Sequence, residues 1–325
     1  MDKQLSMSFF NDDLAEARTN RKDFLEQMDK LVPWEEWVGI IKPFYYKGER
    51  GNKPYDLELM LRIYVFQMCY NLSDMATHYE IIDSRAASRY CGVESSNQIP
   101  DGDTIGRFRN ILIQHDLQEK LFADVVEQLK ANGLLLVKGT ITDSTLVSAP
   151  SSTKNQKKER DPEAHQAKKG NQWYFGYKGH IGVDRDTGIL HHIKITAANV
   201  HDVTAVPDLL NGTEEEVYGD SGYLGAEKRE EAITINNEGK TINYKICKRP
   251  SQLKNATGIE YEKLHQIEHE KSSIRCKVEH VFAIVKGQFG LRKTRLRGRR
   301  KLEAQLNMAF ALANLILASR KSVLA

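Results

Sequence analysis

The 325 residues are 40% hydrophobic and 28% charged, the composition of a soluble globular chain with room for two domains. The longest apolar run, 308–318, is 11 residues long and contains Asn314; it is too short to span a bilayer, so no membrane partner is expected. The net charge of +3 is uneven: residues 1–137 carry 16 Lys/Arg against 22 Asp/Glu, and the remainder 31 against 22. The positive field on the second part points to a polyanionic partner there. The N-terminal MDKQLSMSFFNDD lacks the charged-then-apolar pattern of a secretory signal. Cys69, Cys91, Cys247 and Cys276 have neither zinc-knuckle nor disulfide-framework spacing, so reduced thiols in a cytosol are expected.

In chain order, 12–31 reads as a first helix, and the Gly- and Lys-rich 47–55 as a loop. Asp56 is placed to N-cap a helix over 57–70, and Ser73 opens another. After a loop at 96–102, Asp103 is the expected cap of a helix over 104–114. Asp116 starts a further helix to Ala131, which Asn132-Gly133 ends. Residues 1–133 are thus a helical N-terminal domain, a candidate for DNA-end binding or dimerisation. From Leu134 the texture turns β-branched, with a strand over 134–149. A basic loop, 151–173, follows. A hairpin is expected from 174–183 and 189–196 around the turn 184–188. Then come a short helix over 202–210, a strand over 216–219, a helix over 226–235, a strand over 243–248, a helical region over 258–289 and a final apolar helix over 302–319. The expected fold class is α+β: a mixed sheet with flanking helices over 134–325, preceded by the all-helical domain.

Chemistry-bearing residues stand out against this frame. Asp143 lies inside a strand, flanked by Ile141 and Leu146, where a carboxylate costs free energy unless paired or metal-bound. Asp220 ends the strand EEEVYGD, at a position where sites collect. In SSIRCKVEHVFAIVKGQFG, residues Ile274, Val278, Val281 and Val285 keep the spacing of a buried helical stripe. Arg275, Glu279 and Lys286 recur beside it, setting one carboxylate between two cations. Three acids brought together resist ionising, and a divalent cation reverses that cost. RKTRLRGRRK, 292–301, holds seven Lys/Arg, and phosphate contact is the expected role of Arg292, Lys293, Arg295, Arg297, Arg299 and Arg300.

The segments TITDSTLVSAPSSTKNQ, GNQWYFGYKGHIGVD, TAANVHD, GDSGYLG and IRCKVEHVFAIVKGQFG resemble, in order, those of bacterial insertion-sequence transposases of the DDE class, and most of all the insertion sequence 5 family. The resemblance implies an RNase H-like fold with Asp143, Asp220 and Glu279 as a catalytic, metal-holding triad. It implies Mg2+, with Mn2+ as a substitute, and double-stranded DNA as partner, both terminal inverted repeats and target. Cleavage frees a 3′-hydroxyl, which then attacks target DNA. A homodimer on paired ends and a bacterial cytoplasmic, nucleoid-associated location go with it. Arg275, Glu279 and Lys286 match the family's Y-x2-R-x3-E-x6-K signature, and the resemblance implies that Arg275 and Lys286 position phosphates beside the metals; Ser272 stands at the tyrosine position.

Other motifs compete. Gly219-Asp220-Ser221-Gly222 spells a serine-protease sequence, but Tyr223 stands where those proteases have glycine. His265, Glu268 and His269 form H-x-x-E-H, which makes a zinc hydrolase the rival from another class. A non-catalytic DNA-binding protein derived from a transposase is the third reading; loss of a triad carboxylate would mark it, and all three are present. His201 and Asp202 either cap the following helix or assist the site. Trp173 either stacks on a base or packs over the sheet. Lys178 and His180 face the site or the solvent.

Overall fold

The computed structural model describes residues 17–46, 53–253 and 258–322. The start of the expected first helix, residues 12–16, and most of the loop at 47–55 lie outside these. Helix α1 spans Asn20–Leu31 and begins at Thr19, whose side chain accepts the Lys22 amide. Then come α2 (Trp34–Ile41), α3 (Leu57–Cys69), α4 (Asp74–Asp83), α5 (Arg85–Cys91), α6 (Gly102–Gln114) and α7 (Leu117–Ala131). Asp56 caps α3 through the Leu59 amide, and Ser73 caps α4 through Ala76, as expected. The cap of α6 is Asp101, not Asp103: its carboxylate takes the Thr104 amide, so the helix starts two residues early.

The sheet consists of β1 (Gly139–Ser148), β2 (His165–Lys169), β3 (Gln172–Asp184), β4 (Leu190–Ala197), β5 (Glu216–Gly219) and β6 (Asn243–Ile246). Its order is β2-β3-β1-β5-β6, and β4 pairs with the far half of β3. β1 is antiparallel to β3 and parallel to β5, so the sheet is mixed. This is the α+β, helix-flanked sheet expected of an RNase H-like fold. The segment expected as a single basic loop holds β2, whose Lys168 pairs with Trp173 across a tight turn. At the crowded start of this pairing Gly176 is obligatory: a Cβ there would lie 2.1 Å from the Val147 carbonyl oxygen. Residues 226–235 are not a helix; a short 3-10 turn at Ala226–Lys228 gives way to turns, and Ile235 is exposed.

After the sheet come α9 (Gly258–Arg275), which packs on β5, α10 (Lys277–Phe282), which packs on β1, a π-helical turn at Ala283–Gln288 and the last helix, α11 (Arg299–Ser322). The expected helix over 258–289 therefore breaks at Cys276 and widens after Phe282. Val278, Val281 and Val285 of the predicted stripe are buried, and Ile274 packs beside them. α11 is long and apolar enough to cross a membrane by composition, but 78% of that stretch is buried inside the molecule. It packs against α7 and β4 at once. One hydrophobic cluster accordingly runs from Leu25 through Phe66 and Leu121 to Ile181 and Phe310. A smaller one, around Val206, Val217 and Tyr223, fills the space beyond β5.

Candidate active site

The β1–β5 register sets the site. Ile141 pairs with Tyr218 in the parallel ladder, and Thr142 Oγ1 donates to the Tyr218 carbonyl at 3.1 Å. Continued by two residues, that register puts Asp143 level with Asp220, one strand spacing of roughly 4.8 Å away. Asp220 remains extended and caps the 3-10 turn Ser221–Tyr223, its Oδ1 accepting the Gly222 amide at 2.8 Å. A Cβ on Gly222 would sit 2.9 Å from that same oxygen, so glycine leaves the carboxylate its place.

Asp143 is largely buried. Its Oδ1 accepts the Ser144 amide at 2.7 Å, and its Oδ2 accepts Arg275 Nη1 at 3.1 Å. Arg275 is the last residue of α9, and Glu279 sits exposed in the first turn of α10. Burial is the main cause that pushes the Asp143 carboxyl up to about 6; the Ser144 amide and Arg275 oppose it, and the charges of Asp220 and Glu279 add to it. The three predicted acids therefore share one electrostatic environment. Among the described residues, no three His, Cys, Asp or Glu side chains are gathered closely enough to hold an ion. The donor set nonetheless suits a hard divalent cation: carboxylate oxygens only, with a charge cost that a cation relieves.

Behind the strand lies a second group. Asp202 pairs with Lys178 Nζ at 3.0 Å, and His180 Nδ1 is 3.7 Å from the same oxygen. Asp202 Oδ2 would be 3.9 Å from a Cβ on Gly222, next to Asp220. His180 is fully buried, donates to or accepts from Thr196 Oγ1 at 2.8 Å, and is pushed down to about 4, mainly by burial. Lys178 and His180 thus face inward and hold Asp202 beside the site. His201 is the cap: its Nδ1 accepts the Val203 amide at 3.5 Å. Tyr223 is 1% exposed, with its hydroxyl buried. Burial pushes this phenol up, as do the charges of Asp143, Asp202 and Asp220, which places it among three carboxylates. The sequence reading passed it over because an aromatic in a short turn reads as packing.

The predicted phosphate contacts divide. Lys286 Nζ donates to the Leu146 carbonyl at 2.8 Å; burial, then Lys169 and Arg292, pushes its ammonium down. Arg292 donates to the Lys286 carbonyl at 3.2 Å. Arg295 bonds Asn71, Arg297 donates to the Glu159 carbonyl at 2.9 Å, and Arg300 pairs with Asp116 at 2.9 Å. Lys293 and Arg299 are exposed, and among the described residues their side chains have no hydrogen-bond or ion-pair partner. The basic loop is tied to this run by Asp161, which accepts from Tyr177 Oη at 2.8 Å and the Gly298 amide at 2.7 Å. Glu163 adds a bond from the Arg299 amide at 2.9 Å. These anchors were not foreseen, since an acid inside a basic stretch reads as a solvated charge. Trp173 stands 64% exposed next to the hairpin turn, so it does not pack over the sheet.

In the H-x-x-E-H segment, Glu268 spends its oxygens on the Lys248 amide and Lys271 Nζ, both at 2.8 Å, and His265 and His269 face solvent on α9. That geometry gives a zinc hydrolase nothing to build on. Comparison with protein families gives two matches. Residues 13–110 match a transposase domain (DUF772), and residues 138–315 match the transposase DDE domain. With the second match spanning more than half of its length, the chain belongs to the DDE transposase family.

Proposed function

We propose that this protein is an insertion-sequence transposase of the insertion sequence 5 type. It cleaves and rejoins double-stranded DNA at terminal inverted repeats. Asp143, Asp220 and Glu279 are its catalytic, metal-holding carboxylates. The observation that supports the reading centres on Asp143: the parallel ladder ends at Ile141 and Tyr218, and its register continued by two residues brings Asp220 alongside, while Arg275, from the helical segment that carries Glu279, bonds the Asp143 carboxylate. A pair of Mg2+ or Mn2+ ions would supply the charge that activates the attacking oxygen and stabilises the leaving one. The chain's own residues do the remaining work. Asp143 is held by the Ser144 amide and Asp220 by the Gly222 amide, so both carboxylates present fixed oxygens. Arg292, bonded to the Lys286 carbonyl, and Lys169 bear on Lys286 together with Glu279, and this group of cations is suited to the phosphates flanking the scissile bond. Lys293 and Arg299 extend that group outward. Asp202 supports the site from behind, with His201 capping the turn that carries it, and Trp173 offers an exposed ring to a base.

Residues 1–133 then serve end binding or dimerisation, and residues 134–325 the chemistry, within a homodimer on paired DNA ends in a bacterial cytoplasm. The test is cleavage of inverted-repeat duplexes by Asp143→Asn, Asp220→Asn and Glu279→Gln. Each variant should lose at least about 10³-fold in rate while retaining the duplex in a gel-shift assay. An Asp143→Asn protein that cuts and joins at the wild-type rate ends this reading.

A further inference from the structure

Both oxygens of Asp143 are occupied from within the chain. Oδ1 holds the Ser144 amide, a fixed part of the strand, and Oδ2 holds Arg275 Nη1 at 3.1 Å. The two contacts differ in kind. The amide cannot leave without breaking the strand. The guanidinium stands on a long side chain, about a quarter exposed, at the last residue of α9, where the helix breaks before Cys276. Asp220 and Glu279 are near enough for their charges to bear on the same carboxylate, so this corner needs positive charge, and Arg275 brings it. A divalent ion on Asp143 would bring the same charge to the same oxygen. Guanidinium and dication repel, and Oδ2 cannot serve both at full strength.

We propose that Arg275 is a displaceable counter-ion of the catalytic acids: a metal entering at Asp143 expels the guanidinium, which then turns to a DNA phosphate. The inference rests on the functional reading above. It makes Arg275 a positioning residue with two stations, one before the metal binds and one after. It also reverses the ordinary expectation for a residue beside a metal site, because removing Arg275 strengthens metal binding.

Calorimetric titration of the full chain with Mn2+, without DNA, reads this directly. Arg275→Met and Arg275→Gln should bind Mn2+ roughly tenfold tighter than wild type, the scale of one charge-assisted hydrogen bond released. Both should bind a fluorescent inverted-repeat duplex more weakly. In an Asp143→Asn background, the same substitutions should leave Mn2+ affinity unchanged. A crystal of the wild-type protein grown with Mn2+ should show the Arg275–Asp143 pair opened beyond about 4 Å; this arm needs no variant to fold. Unchanged or weaker Mn2+ binding by the variants overturns the proposal, as does an intact pair beside a bound ion. Either result can stand together with a cleavage-dead Asp143→Asn protein, in which case the functional reading survives and only the counter-ion role is lost.

Discussion

His180 is a neutral side chain in a place that gives it no choice. It is 0% exposed and is pushed down to about 4 from an ordinary value of 6.5. The unfolded chain binds this proton between those two values and the folded chain does not, so stability is full above about pH 6.5 and falls as the pH drops towards about 4. The gap corresponds to about 3 kcal/mol. His191, fully buried and pushed down to about 3, slopes the same way. Urea midpoints measured across this window should fall with acid, and His180→Gln should remove about one proton's worth of the slope; an undiminished slope in the variant contradicts the assignment. Asp143 has the opposite sign. Its raised pKa means that its ionised form, the one a metal needs, is disfavoured by folding, so apo Asp143→Asn should be more stable than wild type near neutral pH, by thermal melting. Asp143 was legible in the sequence because an acid within a β-branched strand is anomalous on its own. Its partner was not. Arg275 is 132 positions away in the chain, and helical spacing showed only that it neighbours Glu279.

Elements were legible where one periodicity ruled and obscure where tertiary contacts decided. The caps Asp56 and Ser73 announced α3 and α4, since each offers an oxygen to an amide three residues on. Residues 226–235 carry helix-favouring Ala, Glu and Lys, but Tyr244 Oη donates to the Ile233 carbonyl and the segment follows that contact instead. β2 was hidden because His165–Lys169 is polar on both faces; its pairing with β3 makes it a strand. The break at Cys276 and the π-helical turn left the apolar stripe intact, and so left no mark on the pattern. Within α11, Asn314 is the one polar residue of the apolar run 308–318, and it is a clasp: Oδ1 accepts the Leu190 amide at 3.0 Å and Nδ2 donates to the Leu190 carbonyl at 2.7 Å. Asn314→Ala strands both backbone groups of β4 and should cost roughly 2–4 kcal/mol, read from denaturant midpoints. A loss under about 0.5 kcal/mol would mean that the strand finds other partners. Asp161 holds the basic loop to the basic run in the same way. Asp161→Ala should loosen residues 151–164 to proteolysis before the core unfolds.

At the scale of the whole molecule, composition shows where positive charge is in excess but not what each cation touches. Bulk charge does not distinguish an arginine that faces solvent from one that ties two parts of the chain together. Arg295 and Arg300 reach Asn71 and Asp116, in the helical region, and so work across the seam. Neutralising Lys293 and Arg299 together should therefore lower the log–log salt slope of DNA binding by roughly 2, while Arg295→Ala should change the slope little and weaken the seam. Equal slope changes from both sets, measured by fluorescence anisotropy at several salt concentrations, would show that Arg295 leaves Asn71 for DNA. The seam depends still more on α11, which lies against α7 on one side and β4 on the other. A ribosome delivers α1 to α7 long before it delivers α11. Until then Leu121, Val125 and their neighbours wait without their cover. A message cut short before α11 would yield a polypeptide with every predicted acid in place and that surface uncovered, and such a chain should be more open to proteases and aggregation.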